Sequence, residues 1–182
     1  MFQLKQQFID SYRSFKSLKV LVATALLIAI GILLDQFSIR LNPTTEIGVS
    51  FIATQLTGMM FGPVVGAIMG GVSDVLKFMI RPNGTFLIGY TINAMLGPLI
   101  YGILLYKKPI SFRRILFSKA VVAILVNLLL GCYWNATYFG AAYLALIPGK
   151  LLQQVIQVPI QSLLFYIVVV ALKKAKVFNL FQ

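Results

Sequence analysis

Lys150, Gln153, Gln157 and Gln161 recur at three- and four-residue spacing late in the chain, which places them on one face of a helix. At 1.5 Å of rise per residue, Gln161 lies about 16 Å deeper along that face than Lys150. Amides both donate and accept hydrogen bonds, and an ammonium donates only. Such a stripe, with Gln154 beside it and Pro159 interrupting the helix, can form one wall of a polar pocket. It can equally bond to neighbouring helices. A second group is Asn127 and Trp134, seven residues apart and so on one helical face, with Asn135 and Tyr138 following. Asn93 falls one turn from Gly89. Aromatic rings of this kind can stack on a flat ligand, although Trp and Tyr also populate membrane-interface belts. A third group, Arg40, Arg81 and Lys150, has no opposite charge nearby in sequence. Together these three would make an electropositive mouth that draws an anion, or would contact lipid headgroups. Asp74 and Lys77, three residues apart, are placed to pair with each other.

Other chemistry is missing. The chain has no histidine and one cysteine, Cys132, so neither a metal cluster nor a disulfide framework is expected. Gly149-Lys150 is followed by Leu151, which does not complete a phosphate-cradling loop. No Ser–His pair or carboxylate dyad is visible. No catalytic residue, metal or cofactor is predicted, and the chain is not expected to be an enzyme. Proton-coupled carriers usually place acids deep in their spans, and the apolar runs here have none at their centres.

Membrane helices must position these residues. Of 182 residues, 59% are hydrophobic and 11% charged, against about 25% charged in a soluble domain. The net charge of +12 falls in the gaps between apolar runs, which points to membrane orientation and away from nucleic acid. Residues 1–18 read as a basic cytoplasmic segment, without the cleavage site of a signal peptide. Spans are expected at about 19–35, 47–62, 63–80, 86–106, 115–135 and 151–172, in a single domain over 1–182. Residues 136–149 read as a loop with room for a short interfacial helix. The uncharged stretch 47–73 could be one helix or two, and Gly62-Pro63 at its middle favours a break. Charge separates the two readings. With two helices, 12 of the 16 basic residues share one side, leaving Arg40, Lys77, Arg81 and Lys150 on the other. The expected fold is therefore an all-α integral membrane protein of six transmembrane helices, with both termini cytoplasmic.

Small residues recur every four positions, at Ala25 and Ala29 and again at Gly58, Gly62, Gly66 and Gly70, and allow close helix approach. The run from Gly58 through Phe61-Gly62-Pro63 to Gly66, followed by Ser73-Asp74, resembles the second and third helices of substrate-binding S components of energy-coupling factor (ECF) vitamin transporters. Ala25-x-x-x-Ala29 is similar to the motif by which those subunits meet their coupling protein. The region from Asn127 to Pro159, with Trp134, Pro148 and Lys150, looks most like the folate-specific branch. It departs from that branch at Gly131, Lys150 and Gln153, which bears on the ligand and not on the S-component resemblance.

The resemblance covers residues 20–172 and implies the S-component (RibU/ThiT-like) fold in the plasma membrane of a bacterium. It implies high-affinity capture of a vitamin at the external face, with folate favoured over pantothenate or another small vitamin. The partners implied are a coupling transmembrane protein and two ATPase subunits, whose ATP hydrolysis topples the S component to release the vitamin inside. Arg40, Arg81 and Lys150 would then meet carboxylates, Trp134 or Tyr138 would stack, and Asn93, Asn135, Gln153 and Gln157 would line the site. Ala25 and Ala29 would dock the coupling protein. A self-sufficient secondary carrier or channel, and a non-transport membrane scaffold, are the competing readings.

Overall fold

The computed structural model describes residues 2–42, 45–82, 84–140 and 143–180; the side chains of 2–3, 39–42, 45–47, 139, 143, 145 and 179–180 lie outside that description. Among the described residues the regular structure is helical apart from one short ribbon. It runs α1 (Phe2–Phe15), α2 (Leu18–Gln36), β1 (Ile39–Asn42), β2 (Thr45–Ile47), α3 (Phe51–Phe61), α4 (Pro63–Ile80), α5 (Ile88–Leu105), α6 (Phe112–Val122), a π-helical segment (Ala123–Leu130), α7 (Gly131–Phe139) and α8 (Tyr143–Lys174). A single 3-10 turn, Val177–Leu180, follows. α6, the π segment and α7 form one continuous apolar helix. Counting it once, five helices among the described residues are long and apolar enough to cross a membrane, and α3 is a shorter sixth.

Gly62 and Pro63 decide the second reading of 47–73. Gly62 takes φ of +92°, a conformation that favours glycine, and Pro63 opens α4. The break leaves α3 about 16 Å long, roughly half the hydrocarbon thickness. A helix that short is tolerated because protein surrounds it: Ala53, Gln55, Leu56, Thr57, Gly58, Met59 and Phe61 are all buried. The first turn of α4 has backbone donors with no intrahelical acceptor. Ser11 of α1 supplies one. Its Oγ accepts from the Val64 and Val65 N–H groups at 3.1 and 3.2 Å and donates to the Phe61 carbonyl at 2.8 Å.

The N-terminal segment, read from sequence only as basic, is thus a helix fixed to the bundle. Asp10 of α1 accepts from Lys107 Nζ at 2.6 Å, which ties it to the α5–α6 connection. Lys5, Arg13, Lys16, Lys19, Lys108, Arg113 and Arg114 are exposed around this end.

α4 and α5 pack through glycine. A Cβ at Gly70 would lie 2.1 Å from the Ala94 carbonyl oxygen, so only hydrogen fits. The core lies where α3, α5, α6 and α8 meet, with the Tyr101 and Phe165 rings edge to face at 5.4 Å. Outward faces stay apolar: Val22, Leu26, Leu33, Leu152 and Val155 are all more than half exposed, as suits lipid.

Two expectations need correction. Residues 136–149 are not mainly a loop. The fifth apolar helix continues to Phe139, ends with Gly140 at φ +65°, and the last helix begins at Tyr143. Pro148 lies inside α8, since a membrane helix held by its neighbours can lose one backbone bond at proline and continue. The polar connection after α2 contains a ribbon, β1 antiparallel to β2, with Arg40 opposite Glu46. Finally, Asp74 and Lys77 do not pair. Lys77 Nζ reaches Asp35 of α2 at 2.8 Å, where a nearly buried carboxylate needs a cation, and Asp74 accepts from Thr91 Oγ1 at 2.7 Å.

Candidate functional site

A cavity of about 320 Å³ opens between α3, α5, α6 and α8. The start of α3 contributes Ser50, Phe51, Thr54 and Gln55, and α5 contributes Asn93 with Gly97 and Pro98. Lys119 comes from α6, Val126 and Asn127 from the π segment, and Gln157 and Gln161 from α8. Gly48, next to the ribbon, completes the wall. The cavity is therefore lined by carboxamides from four elements, by hydroxyls and by one ammonium. Gln55 Oε1 and Gln157 Nε2 are buried without a hydrogen-bond partner, so two amides remain free to bond to a guest.

The π segment shapes this wall. A π turn takes an extra residue relative to an α turn, so a seven-residue spacing no longer returns to the same face. Asn127 and Trp134, expected side by side, accordingly meet different neighbours. Asn127 Nδ2 donates to Gln154 Oε1 on α8 at 3.2 Å. Trp134 Nε1 donates to Asn93 Oδ1 on α5 at 3.2 Å.

Asn93 links the cavity to an aromatic cluster beside it. The Trp134 and Tyr138 rings are nearly parallel, with centroids 5.7 Å apart, and Tyr90 lies 6.4 Å from Tyr138. Tyr90 OH donates to Asn135 Oδ1 at 3.0 Å, and Asn135 Nδ2 donates to the Gly131 carbonyl at 2.6 Å. Gly89 makes room for the indole: a Cβ there would come within 2.4 Å of it. At the ribbon end, the Lys77 ammonium bridges Asp35 and Ser50 Oγ, the latter at 3.0 Å, and so fixes one edge of the cavity.

Of the residues picked out from sequence, Asn93 and Gln157 line the cavity, as do Asn127 and Gln161. Trp134, Asn135 and Tyr138 form the adjoining cluster. Gln153 and Lys150 are half-buried on α8 outside the lining, and Arg81 is exposed at the end of α4. Arg40 lies on β1, and its side chain is outside the described residues. Ala25 and Ala29 are exposed on α2.

Gln55 and Lys119 were missed. Gln55 had a signal, a solitary amide inside an uncharged apolar run. Lys119 is one of the 12 basic residues on the inner side of the charge count, although it lies more than a turn beyond Arg114 and inside the expected span 115–135. Among the described residues no group of three or more His, Cys, Asp or Glu could hold a metal.

A polar cavity walled by apolar helices and edged by stacked aromatic rings marks a membrane protein that captures a small ligand. Residues 19–175 match the family model of the ECF transporter substrate-specific component, and the chain belongs to that family. Its members are substrate-binding subunits of transporters and not enzymes.

A folate transporter, FolT, of Clostridium novyi is 34% identical over 151 residues, covering 83% of this chain and 88% of that relative. A FolT of Leuconostoc mesenteroides is 25% identical over 146 residues, 77% of this chain and 78% of that one. A crystal structure of FolT bound with folic acid superposes with a TM-score of 0.77 at 29% identity, covering 84% of this chain and 93% of that one.

Proposed function

We propose that this chain is the folate-binding subunit of an ATP-driven ECF importer in the bacterial plasma membrane, with both termini in the cytoplasm. The observation that carries the reading is the amide-lined cavity next to the Trp134–Tyr138 stack, in a chain similar to FolT proteins over most of its length. A flat pterin head presents ring donors and acceptors that suit carboxamides. Asn93, Asn127, Gln157 and Gln161 read that edge, and the aromatic cluster holds the ring system through the Asn93–Trp134 bond.

The basic α1 and α5–α6 end faces the cytoplasm, in keeping with the positive-inside rule. The ribbon end, with Arg40 and Arg81, then faces outward. These cations, with Lys150, draw the glutamyl carboxylates toward the mouth. Capture does not need ATP. A coupling transmembrane protein docks on the exposed Ala25–Ala29 face of α2, two ATPase subunits supply the work, and toppling within the complex delivers folate inside.

Mass spectrometry of small molecules retained by the gently purified chain tests the reading, followed by calorimetric titration with folic acid. Retained folate and tight binding are expected. Retention of a different vitamin with no folic acid binding would reject folate, and uptake by the chain without ATPase partners would reject the importer.

A further inference from the structure

Lys119 is 4% exposed, yet it forms part of the cavity lining. Its Nζ lies 5.0 Å from the centroid of the Phe51 ring. Among the described residues, no carboxylate pairs with it: Asp10 is held by Lys107, Asp35 by Lys77 and Asp74 by Thr91. A ring face replaces only part of the hydration that a buried ammonium loses. Two further polar groups in the same lining are unsatisfied, Gln55 Oε1 and Gln157 Nε2. One buried cation and two amide atoms without partners thus face a single space, whose hydrogen bonding is complete only when something fills it.

We infer that Lys119 is a ligand-contacting, specificity-determining residue, whose ammonium donates to an oxygen acceptor of the bound molecule. That acceptor is an oxo group of the ring system or an oxygen of the tail beyond it. An ammonium has three donors and no acceptor, so an amino group in the same place is rejected. The empty protein carries the cost of holding this charge out of water. Replacing even a buried ion pair with apolar side chains of similar volume is often neutral or stabilising, and a buried charge without an ionic partner costs more to hold. Lys119→Met should therefore leave the empty protein as stable as before, or more stable, while ligand binding weakens. A lysine kept for the fold alone would give the opposite sign for stability.

The choice of probe rests on the folate reading. Full-length wild type and Lys119→Met, in lipid nanodiscs, are compared by thermal unfolding without ligand and by titration with folic acid and with 6-methylpterin, which has no carboxylate. The expected result is an unchanged or raised unfolding midpoint with a folic acid Kd about ten- to a hundredfold higher, the loss of one charged hydrogen bond. The same loss with 6-methylpterin assigns the contact to the ring oxo group. A loss confined to folic acid assigns it to an oxygen of the aminobenzoyl-glutamate tail. A variant that binds folic acid within about twofold of wild type, or whose midpoint falls, overturns the inference alone. Wild-type protein that binds neither probe overturns the folate reading and this inference with it.

Discussion

Trp134 and Asn93 act as a pair: the indole N–H bonds to Asn93 Oδ1 while its ring stacks on Tyr138. Trp134→Phe keeps an aromatic ring and removes the donor, leaving a half-buried carbonyl unpaired. In calorimetric titration, the Kd for folic acid should rise about three- to tenfold, the worth of one neutral hydrogen bond. Asn93→Ala should cost a similar amount, and the double variant little more, because residues sharing one bond are non-additive. An additive double variant would show that the pair is not a unit. Sequence made both residues visible as candidates, but their partnership was not readable. The π segment changes the facing of everything after Leu130, and nothing in the run Ala123–Leu130 marks it.

At the scale of elements, glycine contact and a charged tether position the site. Gly70→Ala puts a Cβ against the Ala94 carbonyl, so α4 and α5 must separate, with Asn93 on the moving helix. Overpacking of this kind costs about 1–3 kcal/mol, and the unfolding midpoint should fall accordingly. The four-residue glycine spacing made this contact legible in the sequence. The tether was not: no pattern links Asp10 to Lys107 across the bundle. The Lys107 bond, with one from Gln6, holds the Asp10 carboxyl below the usual carboxylate range, and the bond to Asp10 holds Lys107 above the usual lysine range. The Asp10 contribution is complete above the ordinary carboxylate pKa and is lost as pH falls through its depressed value. The Lys107 contribution is complete below the ordinary lysine pKa and is lost as pH rises through its raised value. Amide exchange in α1 should thus quicken in strong acid and in strong base. Asp10→Asn should raise exchange at neutral pH and abolish the acid limb; an unchanged acid limb would assign it to another group.

At the scale of the whole molecule, the chain offers two surfaces, a cavity toward one end and an apolar α2 face with Ala25 and Ala29 exposed. These should separate genetically. Ala25→Trp with Ala29→Trp should block co-purification with a coupling subunit while folic acid Kd stays within about twofold. Loss of ligand binding in that variant would mean that the α2 face supports the cavity instead. The sequence by itself determined the solvent, the set of apolar helices, the α3–α4 break and the charge asymmetry. These follow from local composition and backbone preference, and each is written in a short stretch of chain. Tertiary structure alone decided which polar groups share a space. Gln55, Asn93, Lys119 and Gln157 come from four helices, and their convergence depends on how close glycine lets α4 and α5 pack and on the turn that the π segment adds. Of the polar stripe read on the last helix, Gln157 and Gln161 line one side of the cavity, and the charge within it comes from Lys119, a residue that by sequence falls on the inner side of the charge count.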